Sequence, residues 1–164
     1  MDFDKELIKC RTIPDIFELV KWVVAQYTNK DQAGLLVGLA DLGMHAKGFV
    51  GAFYSLNSNS IIINKKPLNK IQMKNSYLFK PYIFHILLHE YIHSLGCLDE
   101  TETRNLTYNL SKKLFGANHL TTQLAKDMGK FLPKMSLPSD FEEPENLNID
   151  YLLGIDKRNT NYIM

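Results

Sequence analysis

Apolar side chains recur along this chain with two different periods, and each change of period marks a new element. Between Pro14 and Thr28, Ile16, Phe17, Leu19, Val20, Val23, Val24 and Tyr27 fall at helical intervals, which predicts an amphipathic helix. Asp31 to Leu42 reads as a second helix. From Gly48 to Tyr54 and from Ser60 to Asn64 the residues are largely aromatic and β-branched, and Asn57, Ser58 and Asn59 part the two runs, predicting an antiparallel hairpin. Pro81 to Leu95 is apolar at almost every helical angle, the pattern of a helix packed on all sides, and Gly96 offers its stop. Further helices are predicted from Glu100 to Phe115, ended by Gly116, and from about His119 to Leu132, ended by Pro133. After Ser136 the pattern dissolves into prolines, acids and asparagines, with at most one short element near Ile149 to Leu153. The fold expected is α+β and helix-dominated. It is a single domain over residues 1–135 with a small antiparallel sheet packed on the 81–95 helix, followed by an extended acidic, Asn-rich tail over 136–164.

Composition narrows the function classes. The 164 residues suit one domain with a sizeable core, and 19 basic against 18 acidic side chains leave a formal charge of +1. That balance provides no overall field to attract nucleic acid or an anionic membrane, so neither is an expected partner. The longest nearly apolar stretch is interrupted by His85, His89 and Glu90, well short of the ~20 residues a membrane span requires. Cys10 and Cys97 are too few for a disulfide framework, and the start Met-Asp-Phe-Asp-Lys-Glu lacks a signal peptide's basic flank and apolar run. The expected location is cytoplasmic.

Against this background the 81–95 helix carries unusual chemistry. Three histidines and one glutamate are the ionisable groups on its inner turns, and burying that set without partners would be costly. His89 and His93 stand four residues apart, so on a helix their imidazoles share one face and can grip one cation. Glu90 sits about 100° around the helix from His89, where it reaches a metal-activated water rather than the metal, the geometry of a general base. With five His and eight Glu in the chain, His-Glu-x-x-His arises by chance about 0.007 times per sequence of this composition, so accident is a poor explanation.

A catalytic zinc usually takes three protein ligands. The run His89-Glu-Tyr-Ile-His93-Ser-Leu-Gly96-Cys-Leu-Asp99 resembles the extended zincin pattern H-E-x-x-H-x-x-G-x-x-H/D of zinc metallopeptidases. In that pattern the glycine turns the chain sharply and the eleventh residue, here Asp99, meets the metal. The segment also resembles SprT-like and WLM-type metalloproteases, whose third ligand sits at the start of the helix after the motif helix. The resemblance spans about 25 residues, His89 to roughly Lys113, and implies a zincin-like core with one zinc ion held by His89, His93 and Asp99. Asp99 also begins Asp99-Glu-Thr-Glu102, the form of a capping box, which would employ it as a helix cap. Glu102, on a helix running back after Gly96 as in gluzincin-type peptidases, and His119, just beyond a helix end, are the alternative third ligands. His85, one turn upstream of His89, is read as a buried neutral imidazole outside the ligand set.

The function these residues imply is zinc-dependent hydrolysis of peptide bonds, with Glu90 as general base and a peptide or protein as substrate. Ser60 to Asn64 is expected to serve as the edge strand along which an extended peptide aligns. The alternative is a catalytically inactive zincin-like domain, with a structural metal, that binds a partner. A subordinate expectation places the acidic tail in the cleft, where a carboxylate would hold the enzyme latent.

Overall fold

A computed structural model describes residues 1–44, 48–132 and 142–153. Its elements in chain order are α1 (Phe3–Lys9), α2 (Ile13–Thr28), β1 (Leu36–Ala40), β2 (Ala52–Ser55) and β3 (Ser60–Asn64). They continue as α3 (Lys65–Lys74), a 3₁₀ turn (Ser76–Leu78), α4 (Phe79–Ser94), α5 (Glu100–Phe115), α6 (Leu120–Lys126), α7 (Met128–Phe131) and β4 (Asp150–Tyr151). This is the expected helix-dominated α+β fold.

Local chemistry accounts for the main boundaries. Thr12 caps α2 through its hydroxyl to the Asp15 N–H, and the Asp15 carboxylate returns the bond to the Thr12 N–H, a reciprocal capping box. Asn29 closes α2 with φ of 56°, the left-handed turn that asparagine tolerates. Helix α4 is buried on every side from Pro81 to Leu88, as its pattern predicts, and packs against α2, α5, α6 and the sheet. Ring pairs lock these contacts: Phe17 of α2 meets Tyr91 edge-on at 5.7 Å between centroids, and Phe84 meets Phe115 of α5 at 5.1 Å.

The sheet differs from expectation in composition and direction. Its order is β2-β3-β1-β4, with β2 and β3 forming the expected antiparallel hairpin. The stretch read as a helix from Asp31 to Leu42 contains β1, which pairs parallel to β3 from Leu36↔Ser60 to Ala40↔Asn64, so the sheet is mixed rather than antiparallel. Strand β1 has apolar side chains on both faces because the sheet is covered on both, and a short all-apolar run has no period to separate strand from helix. Ser60–Asn64 is consequently an interior strand, and the open edge beside α4 belongs to β2.

One face of the sheet, including Val37, Ile61 and Ile63, joins the core around α4; the other carries Ala40, Phe53 and Ile62 beneath Leu147 and Ile149 of the tail. Strand β4 pairs antiparallel with β1, Leu152 N–H donates to the Val37 carbonyl, and Lys65 pairs with Asp150. The described tail, residues 142–153, therefore covers the outer face and edge of the sheet. The rest of the 136–164 tail lies outside the described residues. Gly38 permits this close seating, since a Cβ there would lie 2.4 Å from Ile149 Cγ2. Gly38→Val is expected to displace the tail strand and cost about 1–3 kcal/mol, the usual penalty of overpacking. Urea unfolding should show the lowered midpoint and limited proteolysis faster cutting within 142–153; unchanged values in both would refute this seating. No helix among the described residues is long and apolar enough to cross a membrane.

Candidate metal centre

The motif helix and the helix after it are joined by a turn that brings their ends together. At the C-terminus of α4, Gly96 adopts φ of 109°, a conformation that a side chain would strain, and the chain doubles back through Cys97 and Leu98. Asp99 then caps α5, its carboxylate accepting from the Glu102 N–H at 2.9 Å. With Asp99 as cap, Glu100 is the first helical residue, and its side chain reaches back over the end of α4.

There it meets both histidines. His89 Nε2 lies 2.7 Å from one Glu100 carboxylate oxygen and His93 Nε2 lies 3.0 Å from the other. The His89 and His93 rings are 4.8 Å apart between centroids and inclined at 75°. Among the described residues these are the three that bring candidate ligand atoms together, all within 4.8 Å of one another. The group can hold a metal ion.

Of the expected set His89, His93 and Asp99, the structure brings the two histidines together, and the acid beside them is Glu100. Asp99 is committed to the helix cap. Glu102 turns to the opposite side of α5, where it lines a groove of about 660 Å³ between α2 and α5. His119 caps α6, accepting from the Thr121 N–H at its Nδ1, meeting Asp4 at 2.7 Å through Nε2, and stacking on Phe115. A signal for Glu100 was present in the chain: if Asp99 caps a helix, the acid immediately after it is the one placed at that helix's start.

Hydrogen bonding orients His93. His93 Nδ1 donates to the Cys97 carbonyl at 2.7 Å, which leaves Nε2 pointing at Glu100. Desolvation pulls the His93 pKa down, but the Glu100 hydrogen bond, the Glu90 charge and the Cys97 carbonyl outweigh it and the net shift is upward. Hydrogen bonds from His89 and His93 hold the Glu100 carboxyl far below the usual carboxylate range. The Glu100 carboxylate thus sits between the two imidazole nitrogens, where a cation could also be held.

Glu90 is in the same place but in a different environment. It is 7% exposed, and burial raises its pKa to about 7 against the lowering effect of the neighbouring histidines and of the Tyr54 backbone N–H, which donates to it. His85 is buried one turn earlier, with its pKa lowered to about 3 by burial and by His89, so its ring is neutral near pH 7. Its Nδ1 has no hydrogen-bond partner among the described residues. His85, His89, Glu90 and Glu100 line one cleft of about 310 Å³ between β2, α4, α5 and the α6–α7 junction. That junction exists because the expected helix from His119 to Leu132 breaks at Asp127, whose φ and ψ of −154° and 87° are not helical, and the break brings Asp127 to Gly129 to the rim. None of the described tail residues lines the cleft, so the expected latent arrangement is absent from residues 142–153.

No protein-family model, curated protein or solved structure matches this chain.

Proposed function

We propose that this protein is a zinc-dependent peptidase with a zincin-type centre, in which His89, His93 and Glu100 hold the metal and Glu90 is the general base. The observation that carries this reading is the convergence of two imidazoles and a carboxylate beside a separate buried carboxyl. The donor set fits the ion: zinc favours nitrogen and oxygen ligands at about 2.0–2.2 Å, which puts neighbouring ligand atoms about 3.3 Å apart in a tetrahedron. The 2.7 and 3.0 Å separations run to different Glu100 oxygens and the ligand atoms lie within 4.8 Å of one another, so closing on one ion needs small side-chain movements, chiefly of Glu100, the most exposed of the three. Three protein ligands leave the fourth position open, the hallmark of a catalytic rather than a structural site.

A bound zinc ion would supply Lewis acidity to a water molecule and to the scissile carbonyl. The chain's own groups do the rest. Glu90 takes the proton from water as its oxygen attacks the carbonyl carbon, and afterwards delivers it to the departing amine. A carboxyl with a pKa of about 7 is suited to both transfers near neutrality. The Tyr54 N–H fixes the orientation of Glu90 against the sheet.

Strand β2 supports substrate alignment. Asn64 donates to the Gly51 carbonyl, and in an antiparallel ladder the residues between such pairs turn their polar groups outward. Ala52, which lines the cleft, therefore offers its N–H and carbonyl at the open edge to an extended peptide.

The test is cleavage of a mixed peptide library by the protein with zinc, after chelation, and after zinc is restored. The expected outcome is loss of cleavage on chelation and its return with about one equivalent of zinc. If no peptide is cut while chelation lowers the melting temperature, the metal is structural and the partner-binding alternative replaces this reading.

A further inference from the structure

The cleft holds two cationic side chains for which the peptidase mechanism has no use. Arg104 stands one helical turn after Glu100 on α5, and Lys126 ends α6; both line the cleft with the metal group. Arg104 Nε lies 3.8 Å from a Glu100 oxygen, too far for a hydrogen bond, and both Glu100 oxygens are already engaged by His89 and His93. The guanidinium thus has no hydrogen-bond acceptor among the described residues, and at the rim of the cleft it makes only this long ion pair with Glu100. Lys126 forms no ion pair among the described residues. Asp127, the remaining free acid on the cleft wall, is set against these two cations and whatever metal the site holds.

Guanidinium groups recognise carboxylates through two parallel N–H···O bonds. Arg104 Nε stands 3.8 Å from a Glu100 oxygen, so an anion on its guanidinium would lie beside the metal group, within the span of one or two extended residues of about 3.3–3.6 Å each. An anion held by Arg104 would therefore sit one or two residues from a bond presented to the metal. We infer that Arg104, assisted by Lys126, forms a carboxylate-binding subsite, so that the preferred substrates are peptides with a carboxylate within two residues of the scissile bond. The carboxylate comes either from the peptide's own C-terminus or from an Asp or Glu side chain. This inference rests on the peptidase reading and specifies its substrate class.

Three peptide libraries with one randomised core separate the sources: a free C-terminus and no acidic residue, an amidated C-terminus with one Asp or Glu, and an amidated C-terminus with neither. The zinc-loaded protein is expected to cut one or both acidic libraries at least about ten-fold faster than the neutral one, close to the carboxylate. Arg104→Gln should remove the difference in rate between the acidic and neutral libraries, and Arg104→Lys should retain part of it. Because Arg104 is 63% exposed, neither change threatens the fold. In parallel, calorimetric titration of the zinc-loaded protein with acetyl-dialanine and with its amide reads binding without turnover. The acid is expected to bind about ten-fold more tightly to the parent than to Arg104→Gln, with the amide indifferent to the change. Equal cleavage of all three libraries, or a preference that survives Arg104→Gln, overturns the subsite. If no library is cut and the Arg104-dependent binding difference persists, the subsite stands and the peptidase reading fails.

Discussion

Glu90→Gln is expected to lower peptide hydrolysis by about 10²–10⁴-fold while leaving zinc bound and making the metal-free protein more stable at pH 8. The two effects share one cause. Glutamine has the size of glutamate and still accepts from the Tyr54 N–H, so the wall of the cleft is preserved, but it takes no proton from water. Burial raises the Glu90 pKa from 4.5 to about 7, so folding favours the protonated acid. For an acid whose folded pKa is raised, stability is fully present below the unfolded value and is lost as pH rises through the folded one. In the parent, that loss falls between about pH 4.5 and 7 and amounts to something on the order of 3 kcal/mol. The glutamine variant is spared it. Urea unfolding in chelator at pH 8 should show the variant's higher midpoint, and at pH 4 the difference should vanish. Equal stabilities at both pH values would mean that Glu90 is not desolvated as placed, and wild-type turnover in the variant would remove it from the mechanism.

Buried ionisable groups also mark which parts of the chain were legible from sequence. Helix α4 announced itself because it is apolar all round yet carries His85, His89, Glu90 and His93, a combination that a core tolerates only with a purpose. The β2–β3 hairpin was legible because Asn57-Ser58-Asn59 breaks two β-branched runs, and Asn59 takes the positive φ that the turn requires. Helix α5 was framed by its own local signals, Asp99 as cap and Gly116 as stop. What failed to show was whatever long-range packing decides. Leu36–Ala40 is a strand because β3 and β4 flank it, and neither lies nearby in sequence. Ser60–Asn64 looked like an edge because β1 was not recognised as its second neighbour. The short helices α1 and α3 carry too few apolar positions to establish a period. At the site, periodicity placed His89, His93 and Glu90 within one helix, where spacing is geometry. The carboxylate that meets the two histidines comes from another helix, and choosing among Asp99, Glu100 and Glu102 requires the exact phase of its first turn.

That phase has a consequence that two neighbouring substitutions separate. Glu100→Gln is expected to weaken zinc binding by at least roughly 100-fold, since even partners one step removed from a metal are worth 10–100-fold. Asp99→Ala should instead cost about 1 kcal/mol of stability, the usual value of a lost helix cap, and leave zinc affinity nearly unchanged. Competition against a chromophoric chelator measures the first quantity and thermal unfolding the second. For the parent, zinc at 100 times its dissociation constant should add about 2.7 kcal/mol to folding stability, an increment that Glu100→Gln forfeits and Asp99→Ala keeps. The metal-free protein supplies an independent check. Hydrogen bonds from His89 and His93 depress the Glu100 pKa, so its contribution to stability is present above about pH 4.5 and fades as pH falls further. Glu100→Gln should flatten that acid limb, whereas Asp99→Ala leaves the Glu100 contribution to it intact. If Asp99→Ala proved to be the variant that loses zinc, the carboxylate would have to leave its cap and displace Glu100 when the ion enters, and the eleventh-residue zincin pattern would describe the loaded state.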